Sequence, residues 1–428
     1  MTAKNIPVPP ATPQMWLLAV FLSLPIALLP IARSFMLPLG MLAILGLFML
    51  VGLLRHRQQF NTEDKALQVL PRVFLFIWLP MLVSWPDAEV PEQVQKVASL
   101  YPLYALMALA VVILLRATAA SRQLAILGSW IVGVWAFDGV AQTLLGIDMF
   151  NIPLDREGVV AGHASGFFTN PNKYGFYMGM FAAMPLFTMY LCGVNRLTHI
   201  LVSTLVTAGV LVGAARGGWI MYAWALIPYL YLVYIKPAKR PIIPMLVLPL
   251  LLVAMFAITL QFSAGVQERV KRSMAASQEL TYESLNTASS GRVDIYLAAW
   301  NMVKANPVNG IGVDSYEQRF RAYLPEQANI PDSVTVPHAH QVILEVWSGA
   351  GTLGLFGFLL AWAAMWRLWK QALPEQRKLA LPFIIPLAVL WWPINTHRGF
   401  YPSELAVLTL FMLALSIAAL TQARVQTK

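Results

Sequence analysis

Apolar runs of about twenty residues recur along the whole chain, the length an α-helix needs to cross a hydrocarbon layer of about 30 Å. Twelve stand out, at roughly 14–32, 36–54, 68–86, 98–116, 124–147, 174–193, 198–215, 217–235, 242–262, 341–366, 380–395 and 404–422. Several contain proline or glycine, which membrane helices tolerate where neighbours satisfy the freed backbone groups. The pattern predicts an all-α integral membrane protein of about 12 transmembrane helices. From 263 to 340 the apolar runs stop, over a stretch too long for a simple connector. Within it, "DIYLAAWNMVKA" places Ile295, Ala298, Ala299, Met302 and Val303 at helical spacing. That spacing predicts an amphipathic helix lying near the membrane interface. The chain therefore reads as one integrated domain in three parts: a nine-helix region 1–262, a large loop 263–340 and a three-helix region 341–428.

Composition agrees with this picture. Of 428 residues 58% are hydrophobic and 12% charged, about half the charged share of a soluble domain. The single cysteine, Cys192, rules out an internal disulfide and a cysteine-based metal site. The opening "MTAKNIPVPPATPQ" lacks a basic stretch followed at once by a cleavable apolar core, so the first run reads as a retained transmembrane helix.

Charge adds an orientation. A net charge of +10 suits anionic lipid headgroups, an anionic substrate or nucleic acid. With most of the chain in lipid, nucleic acid is not expected. Placing both termini inside gathers more than half of the 30 Lys and Arg into short inner loops, as the positive-inside rule requires. The loop "SWPDAEVPEQ" is acidic and falls outside. The outer side nevertheless keeps Arg156, Lys173, Arg216, Arg269, Lys271, Arg272, Arg292, Lys304, Arg319, Arg321 and Arg398. Long translocated loops escape the rule, so each is individually compatible with simple solvation. Together they form an outward cationic basin suited to a phosphate or diphosphate.

Four motifs carry the candidate chemistry. In "AARGGW", Arg216 sits between two spans with almost no loop between them. The position suits a headgroup anchor or a rigidly placed phosphate ligand, and Gly217 and Gly218 leave room for close approach. In "SSGRVDIY", Ser289 or Ser290 is a candidate cap for a helix starting near Arg292. An arginine is unfavourable at a helix start unless an anion binds there. In "VPHAHQVILEVWSGAGTLG", Pro337 reads as a first helical residue, with His338 and His340 in the first turn. The positive helix end favours neutral imidazole, the form a general base needs. A structural histidine is the bland alternative, and a metal pair fits poorly because His-x-His diverges on a helix with no acidic cluster beside it. In "GFFTNPNKYG", Asn-Pro-Asn predicts a turn and a helix cap, and Phe167, Phe168 and Tyr174 suit an interfacial aromatic belt. Arg156 and His163 precede it as weaker candidates. Asp138, Asn395, His397 and Arg398 are the remaining polar outliers, Asp138 also compatible with the outer end of its span.

Taken together these pieces resemble the O-antigen ligase and O-antigen polymerase superfamily of bacterial inner-membrane glycosyltransferases. The resemblance rests on the twelve-span layout and on residues 289–354. Gly291-Arg292, Trp300, Asn306-Pro307 and Gly310-x-Gly312 follow the family's Gly-Arg, Trp, Asn-Pro-x-x-Gly-x-Gly order. His340-Gln341, nine residues and Gly351-Thr352-Leu353-Gly354 match the ligase signature in full. Arg216 with Trp219 and Ile220 fits the earlier arginine pattern, and Gly166, Phe168, Asn170 and Asn172 fit a Gly-x-Phe-x-Asn-x-Asn segment. His338, two residues before the signature histidine, leaves both histidines as candidates.

The resemblance implies a glycosyltransferase C-like membrane fold in a Gram-negative inner membrane, among its phospholipids, with the active site facing the periplasm and both termini cytoplasmic. It implies an inverting, metal-independent transfer of O-antigen polysaccharide from undecaprenyl diphosphate to a sugar hydroxyl of lipid A-core. Catalytic roles then fall to His338, His340, Arg216 and Arg292, and substrate contacts to Arg156, His163, Asn170, Asn172, Lys173, Arg319, Arg321 and Arg398. No cofactor is expected. The chemistry is coherent by itself: fixed arginines suit a diphosphate leaving group, and a hydroxyl acceptor needs a base. An O-antigen polymerase and a protein O-oligosaccharyltransferase share the donor and differ in acceptor. The complete signature and single large late loop favour the ligase. A secondary transporter fits less well, because no internal repeat is visible and the ionisable residues gather on one face.

Overall fold

The computed structural model describes residues 11–55, 64–155, 162–168, 170–239, 241–275, 281–328, 330–331, 333–393 and 399–423. Helices α1 (Pro13–Ala27), α2 (Met36–Arg55), α3 (Lys65–Ser84), α4 (Pro91–Thr118) and α5 (Ser121–Leu145) come first. α6 (Pro171–Phe181) and α7 (Ala183–Cys192) form one broken span, followed by α8 (Arg196–Val212), α9 (Arg216–Leu230, extended by a π-helical turn, Tyr231–Ile235) and α10 (Ile242–Phe262). The large loop holds α11 (Ala264–Ala275), α12 (Tyr282–Ser289), α13 (Arg292–Ala305), α14 (Tyr316–Arg319) and a 3-10 turn, Phe320–Tyr323. α15 (Val342–Gln371), α16 (Pro374–Leu390) and α17 (Ser403–Thr421) complete the chain. Among the described residues there is no β-strand, only an isolated bridge between Ile147 and Pro153.

The protein is all-α, and each of the twelve predicted runs is occupied by helix. Among the described residues 9 spans are long and apolar enough to cross a membrane. The other three runs hold α1, α8 and α16, with 15, 17 and 17 residues. Short polar residues start several helices as the sequence requires. Asp64 accepts from the Ala66 and Leu67 amides at the head of α3, and Asn195 from the Thr198 amide at the head of α8.

The carboxy-terminal helices pack among the amino-terminal ones. α15 lies along α3, and α17 lies against α4 and α16. α17 is central, with 89% of its apolar window buried, whereas α10 is peripheral at 6%. Small residues let backbones approach, as is usual between membrane helices. A Cβ on Gly357 of α15 would stand 2.0 Å from the Phe76 carbonyl oxygen of α3. The far end of α3 leads into the acidic 85–90 loop. There Glu89 donates its amide to the Ile311 carbonyl at 2.9 Å, and Asn309 donates to Asp87 at 2.6 Å. This loop and the 281–341 segment therefore share one end of the bundle. At the opposite end Arg116 pairs with Asp64 at 2.7 Å.

α13 buries the predicted face, with Ile295, Ala298, Ala299, Met302 and Val303 all in the interior. They pack on protein rather than on an open membrane interface: α13 lies against α15 and the 3-10 turn. Phe168 and Tyr174 also differ from the aromatic-belt expectation. Both are fully enclosed: Phe168 stacks on Tyr177 and meets Trp135 and Tyr174 edge-on. The turn before α6 folds inward, so its aromatic side chains fill the core.

Candidate active site

Arg216 is the first residue of α9, held by a tight turn in which Ala214 adopts φ 49°. Gly218, two residues on, does not leave the open space for a ligand that its sequence context suggested. A Cβ on Gly218 would stand 2.1 Å from the Gly175 carbonyl oxygen, and one on Gly179 2.4 Å from Gly218. Gly175 and Gly179 are a small-x-x-x-small pair on α6, so the gap is filled by helix packing. That packing fixes the arginine. Its guanidinium crosses to the end of α12, donating to Ser290 Oγ at 2.7 Å and to the Ala288 carbonyl.

The Ser289-Ser290-Gly291 corner departs from the capping expectation. Neither serine caps α13, whose N-cap is Gly291 and lacks a side-chain bond. Ser289 Oγ donates back to the Asn286 carbonyl, and Ser290 receives Arg216. Ser290 and Gly291 are both left-handed, at φ 60° and 78°, and their amides close the end of α12 on Thr287 and Asn286. The corner is therefore the C-cap of one helix joined directly to the start of the next. Asp294 ties the two together, receiving Asn286 Nδ2 at 2.6 Å and the Tyr282 hydroxyl. As an acid in the first turn of α13 it also offsets the unfavourable charge of Arg292 there.

Arg292 is half-buried, and burial lowers its pKa from the usual arginine range, with Tyr296 opposing. Among the described residues it makes no hydrogen bond or ion pair. A guanidinium withdrawn from water without an anion is costly. The apolar face one turn further on leads to the histidines. Ile295, Ala298, Ala299 and Met302 share one cluster with Val336 and Ala339, and Ala339 separates His338 from His340.

The histidines precede α15 rather than occupying its first turn. Gln341 is the N-cap, accepting from the Leu344 amide at 2.6 Å, and it donates to the Pro393 carbonyl at 2.6 Å. His340 has φ 55°, which a right-handed helix cannot include. The two imidazole centroids are 4.2 Å apart. His338 is buried, against Gly399, whereas His340 is half-buried.

Beyond the histidines α15 is broken. Gly351 has φ 63° and ψ −165°. The 306–312 loop docks into the break, backbone to backbone. Ile311 and Gly312 amides donate to the Ser348 and Gly349 carbonyls, while the Thr352 and Leu353 amides donate to Pro307 and Val308. A Cβ at Gly351 would lie 2.1 Å from the Val308 oxygen. Irregular backbone at this depth is stable because the docked loop satisfies it.

The other predicted residues have varied placements. Asn170 caps α6, receiving the Asn172 and Lys173 amides, and Asn172 is exposed. Lys173 pairs with Glu404 at 3.4 Å, the carboxylate that also receives Tyr177. His163 is buried beside Gly265, and its neighbour Ala164 bonds Val212 at the turn leading to Arg216. Arg319 pairs with Glu89, and Arg321 donates to the Pro331 and Val334 carbonyls, so both hold the large loop in place. Asp138 is fully buried and receives the Met149 amide at 2.9 Å. It organises the loop after α5 rather than facing outward. Arg156, Asn395, His397 and Arg398 lie outside the described residues, and nothing is described of the Arg269 and Arg272 side chains.

Among the described residues seven non-glycine residues are left-handed: Ala32, Ala119, Asn151, Ala214, Ser290, Asp314 and His340. Three of them either are, or lie within two residues of, a candidate catalytic side chain. Such conformations cost roughly 1–3 kcal/mol each and collect at functional sites. Sequence reasoning passed over Glu345, although an acid inside a membrane span was visible and is a functional signal by default. Its carboxylate accepts the Ala339 amide at 2.7 Å.

Residues 201–359 match the family model described as O-antigen ligase. The matched segment includes Arg216, Arg292, both histidines and the break at Gly351, and stops short of the 162–173 loop at its amino-terminal side. No curated protein matches the chain.

Proposed function

We propose that the chain is an O-antigen ligase, a reading supported by the match of residues 201–359 to the family model of that description. In this reading it transfers O-antigen polysaccharide from undecaprenyl diphosphate to a sugar hydroxyl of lipid A-core. The reaction takes place at the periplasmic face of the inner membrane, with both termini in the cytoplasm. The observation that carries the reading is Arg292, half-buried and without a hydrogen bond or ion pair among the described residues, beside a serine that holds Arg216. Two guanidinium groups at one corner suit the two phosphates of a lipid diphosphate.

The chemistry then follows. The acceptor oxygen attacks the anomeric carbon from the face opposite the phosphate, so configuration inverts. The glycosyl–oxygen bond breaks, and the electron pair leaves on undecaprenyl diphosphate. Arg216 and Arg292 stabilise that growing charge, which is where a fixed cation lowers the barrier most. The acceptor proton passes to the His338–His340 pair. The two rings lie side by side, with centroids 4.2 Å apart. No step requires a divalent ion.

The test is a deletion strain complemented with single variants. His338→Ala and His340→Ala are expected to reduce polysaccharide capping of lipid A-core, the variant that removes the base by about 10²- to 10⁴-fold. Capping at the wild-type level in both would sink the proposal. Attached chains shortened to one repeat would make the protein a polymerase. In a purified reaction, loss of transfer on adding EDTA, restored by a divalent ion, would overturn the metal-free mechanism.

A further inference from the structure

Glu345 lies one turn into α15 and is 4% exposed, inside a membrane-spanning helix. A buried carboxylate there is costly and calls for a specific use. No ion pair reaches it among the described residues. Its Oε2 instead accepts the amide of Ala339, at 2.7 Å. Ala339 is fully buried and stands between the two histidines, the second of which holds a left-handed backbone. An amide buried at that point needs an acceptor. The carboxylate, reaching back six residues, supplies it and closes the His338-Ala339-His340 turn over the start of the helix. Tyr316, Tyr401 and Asp314 are the titratable groups that face Glu345 from neighbouring segments.

We infer that Glu345 is a positioning residue, whose bond from Ala339 fixes the backbone that aims the histidine pair at the acceptor hydroxyl. The inference rests on the reading of that pair as proton acceptor. The bond needs an acceptor atom at full side-chain length, not a charge. A glutamine retains that atom. A methionine of similar volume lacks it, and an aspartate keeps the charge but falls one methylene short.

The experiment uses the full-length protein in nanodiscs, measuring transfer kinetics and amide hydrogen exchange across the histidine turn. Glu345→Gln is expected to keep kcat within about threefold of wild type. Glu345→Met and Glu345→Asp are expected to lose about tenfold to hundredfold in kcat, a scale set by small misplacements of catalytic groups. Donor KM should change little, and exchange at Ala339 should quicken. The aspartate variant keeps the test alive if methionine prevents folding. Wild-type kcat in the aspartate variant, equal losses in the glutamine and methionine variants, or unchanged exchange at Ala339 in both shortened and apolar variants would each overturn the inference. Wild-type transfer by both His338→Ala and His340→Ala is a different failure, that of the pair as base.

Discussion

The guanidinium of Arg216 is held by a serine hydroxyl and a carbonyl at the end of a short helix, while Arg292 beside it has no such partner among the described residues. The histidines, by contrast, are held from behind. A buried carboxylate takes the amide between them, a glutamine caps the helix after them, and a docked loop fills the break beyond. On the proposed reading the two corners serve different tasks. Contacts to Ser290 and Ala288 are the kind that phosphate oxygens can replace, so the cation corner can exchange a protein partner for a ligand. The histidine corner is fixed through its backbone, and its geometry is set before substrate arrives. Preorganisation of this kind is what proton transfer needs, whereas a leaving group with growing charge needs cations free to engage it.

The sharpest way to break this comparison is at Arg216. Arg216→Ala is expected to lower transfer by about 10²- to 10³-fold, the range for removing one donor to a developing negative charge. Its thermal midpoint should stay close to wild type, because the lost contacts are partly exposed. Arg216→Lys should recover little, since a point charge cannot replace a two-pronged guanidinium. A large fall in thermal stability with unaltered turnover would mean that the arginine is a structural latch and that the corners do not differ as described.

At the histidine corner the expected signature is the reverse. Gly351→Ala forces a side chain into the Val308 carbonyl and a non-glycine residue into φ 63°, ψ −165°. The backbone conformation alone costs about 3 kcal/mol, and the clash adds to it. The loop carrying Ile311 and Gly312 must then undock. Lower yield and a lower thermal midpoint are expected, with activity lost in proportion to folded protein. A variant that folds normally and is merely inactive would show that the break serves the chemistry directly.

Much of this arrangement was legible from the chain. Runs of apolar residues locate every long helix because lipid imposes one length and one pattern on them. Asn170 and Pro171 announce the start of α6, and the spacing of Ile295, Ala298 and Met302 gives the buried face of α13. What escaped depends on tertiary partners. Gly218 reads as open space until Gly175 fills it. Ser290 reads as a cap until Arg216 arrives from 74 residues away. The first-turn placement of the histidines failed because Pro337 looked like a helix start, while the true cap, Gln341, is a weaker local signal. Glu345 was visible but isolated, since its partner is a backbone amide and has no side-chain signature.

A smaller effect tests whether the histidine corner carries strain from its acids. Asp314 lies on the loop docked against α15 and is left-handed, at φ 60°. Burial raises its pKa to about 6, with Lys96 opposing and Glu317 adding to the shift. A carboxyl whose pKa is raised on folding contributes stability below its unfolded value, near pH 4, and that contribution is lost as pH rises through about 6. At neutral pH the folded protein therefore bears an ionised, partly buried acid. An asparagine in its place is uncharged and tolerates the left-handed conformation well, so Asp314→Asn should match wild type near pH 4. Above about pH 6 it should be the more stable by about 1–2 kcal/mol, allowing for screening at a partly exposed site. Thermal midpoints in detergent between pH 4 and 8 check this. A variant less stable than wild type at pH 8 would mean that Asp314 is held by the Lys96 charge, and that the docked loop depends on an ion pair rather than bearing a buried acid.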